Sequence, residues 1–448
     1  MSSTESAQLR RSLGLFPLAN IVIANMVGAG IFTTSGLLMS DLGNPLLMIS
    51  LWIVGGLLAL CGALSYSELG AAMPHAGGEY IFLSQLFHPM LGFLSGWVSF
   101  IVGFSAPIAA SALGFSEYFT RAFPQLLQLG VGSVLSAALI KKILAILVIS
   151  VFTWVHLRGI SFGAKVQNLL TLLKVGLVLA LIALGFALGN GNINHLSAGA
   201  PFQLSFGGLK TIGLSLMWIM FGYSGWNASV YIGAEIKNPR QNLPRSLLLG
   251  TGVVTLLYVL LNLLYVYAIQ PGEMSGVISI GGLAMKQLFG GSVEMVFSLL
   301  ISFALFSSLS AFIILGPRVY YAMARHGFFF KSIAVVHPKY NVPARAILLQ
   351  SLISIIMVLS GAFDQILTYM GFSLGIFPIL AVLAVFKLRR QNGRLKMPGF
   401  PFVQILYITA AVFILLLGYL ERPIESSIAI VTVLAGIPFY YLFQQKVH

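Results

Sequence analysis

Acidic residues and cysteine are what this sequence has least of. Eleven Asp and Glu stand against 25 Lys and Arg, and charged residues make up 8% of the 448 positions. A soluble globular domain carries about 25%. A chain so poor in charge cannot cover a water-facing surface, so a soluble multidomain protein is excluded although the length would allow one. Cys61 is the single cysteine, which rules out an internal disulfide, and no Cys or His cluster has metal-ligand spacing. No phosphate-cradling glycine loop is found, so direct nucleotide drive has no support. No convergent Ser/His/Asp set points to an enzyme. The N-terminal MSSTESAQLRRSLG lacks the pattern of a cleavable signal and reads as a short cytoplasmic tail, residues 1–14.

What is present is apolar: 58% of residues are hydrophobic and the mean hydropathy is +0.95. Runs of ~20 apolar residues each cross about 30 Å of hydrocarbon. Twelve such runs are expected near 15–39, 44–70, 84–113, 139–157, 164–188, 208–233, 246–269, 285–324, 344–361, 366–387, 401–420 and 426–444. The fold class is therefore an all-α polytopic membrane protein. The net charge of +14 could suggest nucleic acid, but its distribution points to topology instead. With the N-terminus inside, eighteen Lys and Arg fall on the inner side, six on the outer side, and Lys174 within a span. That bias places both termini in the cytoplasm. Lys141 and Lys142 are the awkward outer pair; either they snorkel or the boundary is misplaced.

Two spans carry glycines where a helix resists them. The first reads NIVIANMVGAGIFTTSGLLMS, with Gly28 and Gly30 at mid-span. The sixth carries Phe221-Gly222-Tyr223-Ser224-Gly225-Trp226-Asn227 at its centre. Each glycine costs a helix roughly 1 kcal/mol relative to alanine, and backbone opened in hydrocarbon must find partners or face a cavity. Close helix packing would explain either pair alone. Breaks in spans one and six fit two five-helix repeats, residues 15–188 and 208–387, followed by two extra helices at 401–444. An odd number of helices per repeat inverts the second copy, and such repeats set broken helices against each other at a binding site. Amide groups at a half-helix start suit a carboxylate, and carbonyls at a half-helix end suit an ammonium. Together they fit the head of an amino acid.

These residues also carry a family resemblance. Val27-Gly28-Ala29-Gly30-Ile31-Phe32, the Phe221–Asn227 segment followed by Glu235-Ile236-Lys237-Asn238-Pro239, and Gly316-Pro317-Arg318-Val319-Tyr320-Tyr321 resemble, in order, motifs of the amino acid–polyamine–organocation (APC) transporters. The L-type amino acid transporters and their bacterial relatives are the branch most similar. The resemblance spans nearly the whole chain. It implies a LeuT-like fold of five plus five inverted-repeat helices and two more, twelve in all. It implies a carboxylate site at Val27, Gly28, Ala29, Gly30 and Ile31. It implies an amino-group site at Phe221, Gly222 and Ser224, with Phe221 closing over the substrate and Asn227 adding a polar contact.

Lys174 lies about ten residues into its span, ~15 Å deep, too far for snorkelling alone. A buried ammonium needs partners. The resemblance places it where sodium-coupled cousins hold an ion, tying the backbone near Gly28 and Ala29 to Ser307 or Ser308. That implies sodium-independent transport, with a fixed tether and a proton carrier both left open. Glu235 is a candidate inner gate contact. Glu68 and Glu79 are expected to pair with inner basic residues such as Arg11 or Arg158. No acidic side chain is expected deep enough to pair with a second substrate ammonium, which favours neutral amino acids, small ones such as alanine, serine, threonine or cysteine. The resemblance implies exchange; proton-coupled uptake and larger or cationic substrates stay open. A channel would need a continuous polar lining. No metal or cofactor is expected. Amino acids and membrane lipids are the expected partners, without nucleic acid. A disulfide-linked glycoprotein partner is not expected, because Cys61 lies within a span, and a monomer suffices. The expected location is a bacterial inner membrane.

Overall fold

The computed structural model describes residues 13–75, 77–128, 136–158, 160–199, 201, 203, 205–233, 236–337, 339–340, 342–361, 363–391 and 397–444. Among them the chain is helical throughout, without a sheet; an isolated parallel bridge joins Leu13 to Ile236. The first helices are α1 (Leu15–Met26), α2 (Ala29–Leu42), α3 (Pro45–Ala72), α4 (Glu79–Leu86), α5 (Pro89–Val98) and α6 (Ser105–Ala122). Next come α7 (Gln125–Gln128), α8 (Ala137–Leu157), α9 (Ile160–Leu188), α10 (Phe206–Gly222), α11 (Pro239–Ala268) and α12 (Pro271–Met274). The chain ends with α13 (Ile280–Phe289), α14 (Gly291–Arg325), α15 (Ala344–Ser360), α16 (Phe363–Gln391), α17 (Phe402–Glu421) and α18 (Pro423–Gln444).

Among the described residues, ten helical runs are long and apolar enough to cross a membrane, the first being α1 and α2 together. Two shorter apolar helices, α10 and α15, lie where two further spans are expected. Helix starts follow local chemistry. Asn44 accepts a hydrogen bond from the Leu47 amide at 3.0 Å, with Pro45 in the first turn of α3. Ser136 and Ser205 cap α8 and α10 in the same way.

Burial sorts the helices into a centre and a rim. In the most apolar 18-residue stretch of each run, 83% of residues are buried within Pro89–Ala122 and 67% within Val293–Arg325, against 28% within each of Ala137–Leu157, Leu169–Leu188, Phe402–Glu421 and Pro423–Gln444. Rim helices present Leu147, Leu172, Phe402 and Ile424 outward. Large apolar side chains on the outside of a polytopic bundle suit lipid, where water would penalise them. At the centre α14 packs on α6, and α11 packs on both α3 and α1.

Two expectations change, and a third point is filled in. The run expected at 285–324 is two helices, α13 and α14, because Gly290 (φ 92°) turns the chain between them. The third span starts after α4, at Pro89, and widens into a π-turn at Ser99–Gly103. Pro107 has no amide hydrogen to return to that turn, and the Ser105 hydroxyl donates to the Phe100 carbonyl at 3.1 Å. Lys141 and Lys142 lie in the first turns of α8, where Lys141 meets Glu117 at 2.7 Å and Lys142 donates to the Leu359 carbonyl at 2.8 Å.

Of the expected acidic pairings, Glu68 meets a basic residue of the expected inner set, though not one of the two named, and Glu79 forms no ion pair among the described residues. Glu68 is held by Arg389 through two hydrogen bonds of 2.6 and 2.7 Å. The reason is that α16 packs on α3 at this level. Arg11 lies outside the described residues, and no ion pair among the described residues joins Glu68 or Glu79 to Arg158.

Candidate functional site: two interrupted spans

The first span stops being helical at Met26 and resumes at Ala29. The break therefore falls at Val27 and Gly28, one residue before the expected Gly28–Gly30 centre. An interrupted helix leaves its last carbonyls without intrahelical donors, and within a bilayer other groups must supply them. Here three helices do so. Lys174 of α9 donates to the Ala24 carbonyl at 2.7 Å. Tyr258 of α11 donates to the Met26 carbonyl. Ser308 of α14 donates to the Val27 carbonyl at 3.0 Å.

Lys174 also lies 3.1 Å from the Ser308 hydroxyl. Its ammonium is thus fully buried and ties α1 to α14, through Ala24 rather than through Gly28 or Ala29. Ser307 takes a different partner, the Thr171 hydroxyl at 3.2 Å. On the far side of the break, α2 begins with Gly28 as its N-cap and no side-chain cap.

The second interruption follows Gly222, where α10 ends; a turn and a short 3-10 segment, Ala228–Tyr231, continue the chain. Gly225 has φ 99°, which L side chains resist, and a Cβ there would meet Asn25 at 2.9 Å. The two breaks touch. A Cβ on Gly30 would lie 2.4 Å from the Gly222 Cα, so hydrogen at Gly30 is what lets the two backbones meet. The Tyr258 hydroxyl sits between the breaks, within 3.0 Å of the Gly222 carbonyl as well. Its ring stacks edge-on against Trp52 at 5.4 Å.

Beside the second break lies a cavity of about 130 Å³ with mainly apolar walls. A single water needs about 10–15 Å³ on such a measure, so there is room for a solute of several heavy atoms. Phe221, Ser224 and Asn227 border it, with Asn25 from the first span. Val27, Gly28, Ala29, Gly30, Ile31 and Gly222 do not; Gly30 backs onto Gly222 instead. Glu235 lies outside the described residues.

Two participants escape the sequence reading. Tyr258 looks like one more aromatic in an apolar run. Glu79 looks like a loop charge. Gly77 (φ 119°) and Gly78 (φ 51°) turn the chain back on itself, which brings Glu79 under α3, onto the Tyr66 hydroxyl at 2.6 Å, and into the cavity wall. An acidic side chain thus borders the cavity, against expectation. The Gly-Gly pair before the glutamate was the available signal.

Residues 13–438 match the sequence model of a family described as amino acid permease. The chain is 29% identical to the serine/threonine exchanger SteT of Bacillus subtilis (strain 168), over 99% of each chain. It is 30% identical to the b(0,+)-type amino acid transporter 1 of Mus musculus, over 98% of this chain and 90% of the relative. The cystine/glutamate transporter of Homo sapiens is 26% identical, over 98% of this chain and 86% of the relative.

Proposed function

Because the chain belongs to the amino acid permease family, and is a secondary amino-acid transporter of the APC superfamily rather than an enzyme, we propose that it exchanges small neutral L-amino acids across the membrane without sodium. The observation that carries this reading is the pair of interrupted helices touching beside a small cavity. A carboxylate fits the uncapped start of α2, and an ammonium fits the carbonyl end of α10; neither Gly28 nor Gly222, at those ends, borders the cavity in this structure, so in this reading the head group reaches them in a state where the wall between has opened. The side chain then occupies the apolar space next to Phe221, Ser224 and Asn227.

Alternating access follows if the five helices from residue 15 to 188 and the five from 208 to 387 act as inverted repeats. The helices at 401–444 are then additions on the rim. In this reading both termini face the cytoplasm of a bacterial cell, the membrane is the inner one, and a monomer is the working unit. Lys174 stands where a coupling cation would otherwise bridge α1 and α14, which supports sodium independence. The full-length similarity to a serine/threonine exchanger supports both the small neutral substrates and the exchange.

The test is uptake of radiolabelled serine into proteoliposomes that are empty or preloaded with serine, in sodium or choline buffer, with and without an imposed proton gradient. Exchange requires uptake only into loaded vesicles and indifference to sodium. Accumulation in empty vesicles driven by the proton gradient overturns exchange in favour of proton symport.

A further inference from the structure

Glu79 is an acid without a base. It is 7% exposed, and none of the ion pairs among the described residues includes it. Its carboxylate is surrounded by neutral donors instead. Tyr66 donates to Oε1 at 2.6 Å, Asn227 Nδ2 donates to the same oxygen at 3.1 Å, and the Ser95 hydroxyl reaches Oε2 at 3.4 Å. A second contact from Asn227 Nδ2 goes to the Tyr231 hydroxyl at 3.4 Å. Glu79, Ser95, Asn227 and Tyr231 all border the cavity.

A carboxylate only accepts hydrogen bonds, and an amide presents two N–H donors on one side and a carbonyl acceptor on the other. Glu79 and Tyr231 occupy the nitrogen of Asn227. The amide oxygen has no protein donor among the described residues. We propose that Glu79 is the specificity-determining positioning residue of this cavity: it turns the Asn227 amide so that its oxygen serves the substrate, selecting side chains that donate a hydrogen bond and excluding carboxylates. The ligand class is a small amino acid with a hydroxyl. This deepens the exchange reading above and rests on it.

A substrate carboxylate entering the cavity sets an acceptor against the Asn227 oxygen, which is itself an acceptor. A hydroxyl meets an acceptor. An alanine side chain meets the same walls and leaves the acceptor unpaired, at a cost.

The experiment compares serine with alanine, which differ by that hydroxyl, in proteoliposome exchange by the full-length protein, with aspartate as competitor. Wild type is expected to favour serine in kcat/KM and to ignore aspartate. Glu79→Gln supplies an amide that can donate to the Asn227 oxygen and reverse its amide. It should cut the serine-to-alanine ratio about tenfold, the worth of one neutral hydrogen bond, through KM more than kcat, and let aspartate compete.

Equal slowing of serine and alanine, with aspartate still excluded, overturns the proposal, since a purely structural carboxylate would do that. Should Glu79→Gln fail to fold, Asn227→Leu provides the second arm: whatever rate remains, the serine-to-alanine ratio should fall to about one, and an unchanged ratio overturns the role. Wild-type protein that handles serine no better than alanine overturns it too. Loss of all neutral amino acid exchange in wild type removes the transport reading along with it, whereas alanine exchange with an unmoved ratio removes only the role of Glu79.

Discussion

Replacing Lys174 with alanine should slow exchange far more than it weakens substrate binding. The buried ammonium donates to the Ala24 carbonyl at 2.7 Å and to Ser308 at 3.1 Å. Ala24 is one turn before the break, and its carbonyl has no other donor among the described residues. Leaving a buried acceptor unpaired costs about 1–3 kcal/mol. If about 2 kcal/mol of that falls on the geometry the first span must hold during the transition, the rate drops about 30-fold. Ser308 still holds the Val27 carbonyl in the variant, so the break does not collapse altogether. Lys174 does not border the cavity, so substrate affinity, read from ligand-induced thermal shift, should change by less than about tenfold. Lys174→Met keeps most of the side-chain volume and loses the charge. It should match the alanine variant in rate and exceed it in thermal stability, because it leaves a smaller hole. Wild-type turnover in both variants would refute the tether.

Other outcomes follow from the same contacts. Gly30→Ala should abolish exchange and destabilise the protein by about 1–3 kcal/mol, since its Cβ meets backbone 2.4 Å away at Gly222; Gly28→Ala, whose nearest neighbour is the Ser308 hydroxyl at 3.2 Å, should be milder in exchange and in thermal unfolding. Tyr258→Phe keeps the ring against Trp52 and removes the hydroxyl shared by Met26 and Gly222; turnover should fall about tenfold, with a stability loss of about 1–3 kcal/mol. Arg389→Ala strands Glu68, whose side chain is 1% exposed, and should cost about 3–5 kcal/mol in detergent unfolding; the double variant Glu68→Gln with Arg389→Gln should recover part of that loss.

Much of this fold is legible because lipid imposes a simple rule. A span must be long and apolar, so helix positions can be read from runs of residues, and glycines inside such runs mark interruptions. The reading fails where the determining contact is remote in sequence. Gly30 was expected to open the helix; it lies inside α2, and its small size serves Gly222, which periodicity cannot reveal. Gly290 hides a helix boundary within a continuous apolar run, because hydropathy is blind to a φ of 92°. Glu79 flanks the turn after the second span, where a basic partner is expected, whereas the turn at Gly77 and Gly78 brings it onto Tyr66 instead. The partner of Glu68 lies on α16, and nothing near residue 68 announces it.

The donors at the first break come from helices that take no part in the break itself. Lys174, Tyr258 and Ser308 belong to α9, α11 and α14, so the open backbone of the first span is held by three separate bodies. Tyr258 is the member that reaches both interruptions, and a hydroxyl has one proton to give. When it bonds the Met26 carbonyl, the Gly222 carbonyl must find another donor, and the reverse holds equally. Under the proposed exchange, a substrate ammonium at the end of α10 would be such a donor and would leave the Tyr258 proton to α1. Occupancy at one break would then be felt as a change in hydrogen bonding at the other.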